Sequence, residues 1–224
     1  MKFSEHIYEK LQPVWRKNHA HPFVREMGGG TLDPEKFRFY MVQDYLYLID
    51  YSKLFAIGAI KANRVEDMEK FSALLHSTMN EEMALHRQYA ERFGISSEEL
   101  EQAEPSPITL AYTHYMLYSA QNGTLADLVA ALLPCMWSYW EIGKELSEIP
   151  GAIDHELYGD WIKMYSSEEF GSLAKWCIDL LDKTAKGKSP DELLKLEKIF
   201  LNTTRYEHMF WEMAYNQEMW HHDD

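Results

Sequence analysis

The sequence predicts an all-α, single-domain helical bundle over residues 1–224. Apolar residues recur at helical spacing along nearly the whole chain, and helix-start signals stand at the head of the apolar runs. No run alternates with the period of a strand, and there is no Gly-rich phosphate loop and no internal repeat. Linkers are short and composition does not shift between the halves, so one domain of about seven or eight helices is expected.

Residues 2–18 place Phe3, Ile7, Leu11, Val14 and Trp15 on one stripe. From His21-Pro22 to Gly28-Gly29-Gly30 the chain reads as turn. Asp33 suits an N-cap with Pro34 at the first helical position, opening a helix to about Asn63. A second helix is expected from about Val65 to Phe93, with Gly94 ending it at C′. Ser96 to Pro107 reads as a polar linker, and Pro107 starts a helix that stops at Asn122-Gly123. Thr124 and Asp127 form a capping box ahead of Leu125, Leu128, Val129, Leu132 and Leu133. Pro134 then removes one backbone bond and is expected to kink that helix. Shorter helices follow over 154–165 and 168–187. Ser189-Pro190-Asp191-Glu192 opens a last helix to about Trp220.

Lys and Arg number 22 against 36 Asp and Glu, a net charge of −14. That balance opposes binding to nucleic acid or to an anionic membrane, both of which need a basic face. A hydrophobic content of 46% supplies enough apolar surface to exclude disorder. The nearest candidate for a membrane span, Leu125 to Trp140, contains Asp127 and Pro134 and is too short. The start, Met1 to His6, lacks a signal-like apolar run. Two cysteines cannot build a disulfide framework. A reduced, cytoplasmic, soluble protein is expected.

In a helical protein the informative positions are polar residues on apolar stripes. Asp44 has Tyr40, Met41, Tyr47 and Leu48 as its helical neighbours, and a carboxylate there needs a partner. It is either a structural carboxylate paired with a Tyr hydroxyl or an Arg, or a functional one. Cys135 follows Pro134, with Tyr139 one turn on; it is either an inert small hydrophobe or a reactive thiol beside a disturbed helix. Cys177 follows Trp176 in an apolar helix and reads as core. Glu207 lies one turn from Phe210 and Trp211. It is either ion-paired or has its pKa raised by desolvation, as a general acid requires.

Ten histidines raise the question of metal. Only Glu218 and His221 have the Glu-x-x-His spacing of a di-iron site, and they lie at the C-terminal end. Glu82 and His86 share a helix face, which reads as a surface hydrogen bond. No Cys/His cluster suits zinc. The 14 Tyr, 10 Phe and 7 Trp fit core packing or a cavity that stacks a flat ring.

Several segments resemble the TenA/thiaminase II family. They are Val42-Gln43-Asp44 with Tyr47, Glu82-Met83-Ala84-Leu85-His86, Pro105-Ser106-Pro107 with Tyr112, and Ala130-Ala131-Leu132-Leu133-Pro134-Cys135 with Trp137 and Tyr139. Trp161 with Tyr165, Tyr206-Glu207 with Phe210-Trp211-Met213-Ala214-Tyr215, and the early His21-Pro22-Phe23-Val24 complete the set. The resemblance runs from residue 1 to about 220. It implies a haem-oxygenase-like all-helical fold, a homotetramer and no haem, metal or other cofactor. It also implies hydrolysis of thiamine, or of its aminomethyl-pyrimidine breakdown product, to hydroxymethyl-pyrimidine. The resemblance puts the nucleophile at Cys135 and the acid at Glu207. It puts aminopyrimidine-binding groups at Asp44, Tyr47, Tyr112, Tyr139 and Tyr165, and Phe210 joins the pocket lining. The competing readings are a di-iron oxidase of the same fold and a non-catalytic helical regulator.

Overall fold

Five of the long helices begin where the sequence supplies a side-chain acceptor. The structure is a computed structural model and describes residues 2–221. Among these it has eleven α-helices: α1 (Phe3–His19), α2 (Pro22–Gly28), α3 (Pro34–Lys61), α4 (Val65–Ser77), α5 (Met83–Arg92), α6 (Ser97–Glu101), α7 (Pro107–Asn122), α8 (Leu125–Ser147), α9 (Gly159–Ser166), α10 (Glu168–Ala185) and α11 (Pro190–Asn216). Asp33 accepts from the Glu35 amide at 2.9 Å to open α3, and Ser106 accepts from the Thr109 amide at 3.1 Å to open α7. Thr124 with Asp127 and Ser189 with Glu192 form reciprocal capping boxes at α8 and α11.

Four departures from the sequence reading stand out. The segment after His21 is a helix rather than a turn, because His21 Nδ1 accepts from the Phe23 amide at 3.1 Å and Pro22 occupies the first position. The linker after Gly94 holds α6, opened by a capping box between Ser96 and Glu99. The run from Val65 to Arg92 carries a π-helical turn at Thr78–Glu82 between α4 and α5. Such turns insert a residue, re-aim the side chains beyond them, and are frequent at functional sites. Lastly, α11 stops at Asn216 rather than near Trp220, because Gln217 takes a left-handed conformation with φ 55°. Eleven helices replace the expected seven or eight mainly because the short α2 and α6 and the split of α4 from α5 carry little hydrophobic periodicity.

The core is organised about α8, where every residue from Ala126 to Tyr139 is buried. A helix apolar on all sides must be wrapped by others, and α1, α3, α7, α9, α10 and α11 all pack against it. It runs unbroken through Pro134. In that same turn the Tyr51 hydroxyl of α3 donates to the Leu132 carbonyl at 2.8 Å. Cys135 therefore sits on continuous helix rather than at a break.

Helix α9 lies close on α8 at Gly143, where an added Cβ would meet the Tyr165 carbonyl carbon at 2.6 Å. Gly143→Ala must push α9 outward and is expected to lower stability by about 1–3 kcal/mol. Thermal denaturation should show a drop of about 2–10 °C. An unchanged melting temperature would mean that this close approach is not a packing constraint.

Candidate active site

Six segments converge beneath the middle of α8: α3, the π turn with α5, α7, α8, α9 and α11. Asp44 on α3 is 2% exposed, with two donors on its Oδ2. His86 Nε2 lies at 2.7 Å and the Tyr40 hydroxyl at 3.1 Å. The other imidazole nitrogen, Nδ1, meets the Glu82 carbonyl at 2.8 Å. A carbonyl and a carboxylate both accept only, so we assign a proton to each ring nitrogen and a positive charge to His86. Burial works against that charge, but the hydrogen bond and charge of Asp44 outweigh it, and His86 is held above its ordinary pKa. Asp44 is thus a paired carboxylate, with His86 rather than an Arg as the cation. Its Oδ1 has no protein donor among the described residues.

Tyr40 extends this arrangement. Trp161 Nε1 donates to its hydroxyl at 3.1 Å, and the hydroxyl of Tyr139 lies 3.2 Å away. Trp211 stacks between Tyr40 and Tyr139, at centroid distances of 5.4 and 5.3 Å. Tyr165 meets Tyr139 edge-on at 5.0 Å and donates to Glu82 Oε1 at 2.7 Å.

Cys135 lies one turn before Tyr139 and is 8% exposed. Its thiol is within reach of the Tyr47 hydroxyl and the Glu207 carboxyl. Burial, then the Glu207 charge, push the thiol well above its ordinary pKa, with the nearby Tyr47 hydroxyl, which donates to Met116 Sδ at 3.7 Å, opposing the shift. A thiolate here needs a nearby group to receive its proton. Glu207 on α11 is 2% exposed and accepts a short hydrogen bond from the Tyr112 hydroxyl. Burial lifts its pKa to about 8, against the bond from Tyr112 and helped by the Asp44 charge. It is a protonated acid at neutral pH, and no cation is ion-paired with it among the described residues. Tyr47 packs on Tyr112 at 5.1 Å and on Phe210 at 5.6 Å, closing an aromatic wall.

The structure therefore gathers Asp44, Tyr47, Tyr112, Cys135, Tyr139, Tyr165, Glu207 and Phe210 into one interior cluster. Cys177 is fully buried away from it, where burial alone raises its pKa. The expectation of a surface bond between Glu82 and His86 is wrong: His86 is 1% exposed, and the Glu82 carboxyl turns inward to Tyr165. The signal was present, since Phe71, Leu74, Thr78, Glu82, His86 and Tyr89 follow one another at helical spacing on one face. Gln43 was also missed. Its side chain accepts from the Ser106 amide at 2.9 Å and donates to the Glu104 carbonyl at 3.0 Å, tying the start of α7, and so Tyr112, to α3. Glu218 and His221 lie beyond the last helix, so their spacing aligns nothing. Among the described residues no group of three His, Cys, Asp or Glu side chains could hold a metal ion.

Known proteins similar to this chain fall in one family. Residues 8–217 match the model of the TENA/THI-4/PQQC family. An aminopyrimidine aminohydrolase of Halalkalibacterium halodurans is 57% identical over 223 residues, covering 100% of both chains. The solved structure of a TenA family transcription regulator from Silicibacter sp. TM1040 superposes with a TM-score of 0.88 at 33% identity, over 96% of each chain. A domain with a haem-oxygenase-like fold from Shewanella denitrificans gives a TM-score of 0.75 at 14% identity, over 95% of this chain and 92% of that one, a likeness of fold alone. The residues that resembled TenA from the sequence lie together in a haem-oxygenase-like helical fold, and the chain belongs to the TENA/THI-4/PQQC family.

Proposed function

We propose that this protein is a hydrolase of thiamine salvage. It would convert 4-amino-5-aminomethyl-2-methylpyrimidine, or thiamine, with water to the 5-hydroxymethyl-pyrimidine through a covalent adduct on Cys135. One observation carries the reading: a thiol flanked by a proton-holding Glu207 and faced by the paired carboxylate of Asp44, inside aromatic walls. The name carried by the 57%-identical relative supports the substrate class. Homotetrameric assembly and a cytoplasmic location belong to the same reading through the family resemblance.

Direct displacement at a methylene on an aromatic ring is poor, so the thiol adds to the ring carbon beside the substituted one. Glu207 gives its proton to the ring nitrogen and receives the thiol proton, so no free thiolate accumulates in the apolar interior. The exocyclic amine then pushes electrons through the ring and expels the leaving group from the methylene. Positive charge develops on that amine, and Asp44 Oδ1 is the free acceptor to stabilise it. Water adds to the exocyclic alkene and the sulfur leaves, restoring the aromatic ring and returning the protons through Glu207. The surrounding aromatic side chains hold the ring in a near-attack pose.

Cys135→Ser should lower turnover by at least about a thousandfold while hydroxymethyl-pyrimidine binding, followed by calorimetry, stays within about threefold. Cys177→Ala should leave kcat unchanged. Full activity of Cys135→Ser would sink the mechanism. Because Glu207 must start protonated, kcat/KM should fall as pH rises through about 8. Glu207→Gln should lose that limb; an unchanged profile would remove Glu207 as the acid. His86→Ala leaves the Asp44 carboxylate buried without its cation, and KM should rise at least about tenfold with a loss of about 3 kcal/mol in stability. An unaltered KM would mean that His86 does not position Asp44. Purified protein that releases no product from either pyrimidine would favour a regulatory role.

A further inference from the structure

One carboxyl beside Cys135 has no task in those steps. Glu82 closes the π turn, and its Oε1 is held by the Tyr165 hydroxyl at 2.7 Å. Glu82, Tyr165, Tyr139 and Cys135 line one narrow cleft, and neither Asp44 nor Glu207 is part of its lining. A second, outer cleft shares Ser77, Glu82, Phe170 and Leu173 with the first. Glu82 thus stands on the wall between the thiol and the mouth of the passage. A ring held by Asp44, Glu207 and Cys135 leaves this passage for the substituent that departs. No lysine or arginine lines either cleft, and Glu81 and Glu169 line the outer one, which suits an amine rather than an anion.

From this placement we infer that Glu82 is a second catalytic acid and base of the reaction, serving the leaving group while Glu207 serves the ring. The inference rests on the hydrolase reading above. As the C–N bond of the methylene amine breaks, its electron pair stays on nitrogen and the Glu82 proton completes ammonia. Water then bonds through oxygen to the methylene carbon, its arrival returns electrons to the ring, and the Glu82 carboxylate takes one proton from that water. Glu82 ends protonated, as it began, and the amine has been exchanged for a hydroxyl.

The surroundings of Glu82 suit both roles. His86 lies one turn on along its own helix, Asp44 faces it from α3, Cys135 from α8 and Tyr165 from α9, with Thr78 in its own turn. Burial raises its pKa to about 7, with Tyr165 and the His86 charge opposing and the Asp44 charge adding. Near neutrality such a carboxyl exchanges a proton in either direction at little cost.

Ammonia release from aminomethyl-pyrimidine by the purified full-length chain tests this. Glu82→Gln should lower kcat at least about a hundredfold with KM within about threefold, and should erase the pH-profile limb near 7 while the limb assigned to Glu207 persists. Glu82→Asp should restore part of kcat together with that limb. Tyr165→Phe removes a donor that favours the carboxylate, so it should move the limb to higher pH even if Glu82→Gln does not fold. A kcat for Glu82→Gln within threefold of the unaltered chain overturns the inference, as does a limb near 7 that survives Glu82→Gln or stays in place in Tyr165→Phe. Unaltered protein that releases no ammonia overturns the hydrolase reading instead, so the two failures are distinct.

Discussion

The contact between His86 Nε2 and Asp44 Oδ2, at 2.7 Å in an interior closed by aromatic rings, is the interaction on which the rest of the site depends. Three carboxyls, Asp44, Glu82 and Glu207, approach the same thiol. Charge in such a medium is expensive unless it is paired. The imidazolium of His86 is bonded to Asp44. Glu82 and Glu207 receive neutral donors, chiefly the hydroxyls of Tyr165 and Tyr112, and their pKa values rise to about 7 and about 8. A single cation in the right place thus sorts three chemically similar groups into one acceptor and two acids. That division of labour suits the addition–elimination proposed for this site.

The scaffold exists to hold this sorting in place. Helix α8 carries Cys135 and Tyr139 on a segment buried on every side, so neither side chain has room to leave. Helix α3 carries Asp44 and Tyr47, while Gln43 beside them anchors the start of α7 and with it Tyr112. The π turn does the corresponding work for Glu82 and His86. It places a carboxyl and an imidazole of one helix face against different partners, Tyr165 of α9 for one and Asp44 of α3 for the other. Trp211 spans the Tyr40 and Tyr139 rings and ties α11, the bearer of Glu207, to the same cluster.

Much of the site was legible along the chain because polar residues stood out against helical stripes. Asp44, Cys135 and Glu207 are of this kind, and the family resemblance joined them to Tyr47, Tyr112, Tyr139, Tyr165 and Phe210. Glu82 and His86 obey the same rule, yet along the chain they look like surface. Their stripe contains Thr78 as well, and a face with several polar positions looks solvated until the helix opposite it is known. Tyr40 stands beside Asp44 in the sequence and Trp161 belongs to the family resemblance, but their hydrogen-bonding roles are hidden for the converse reason. Each resembles ordinary core, and only the hydroxyl and indole geometry reveals a chain of hydrogen bonds ending on Asp44.

The sequence alone determined the fold class, the long helices with their caps, and the chemical types available to the site. These depend on contacts within a few residues: a capping side chain, a proline at the first position, an apolar face every three or four residues. Tertiary structure decided which carboxyl is paired with a cation, where the π turn falls, and that α8 passes Pro134 without a break. The pairing depends on groups far apart in the chain, Asp44 with His86, Glu207 with Tyr112, and Glu82 with Tyr165. Protonation and backbone geometry in a buried site follow from who the neighbours are, and sequence spacing does not carry that information.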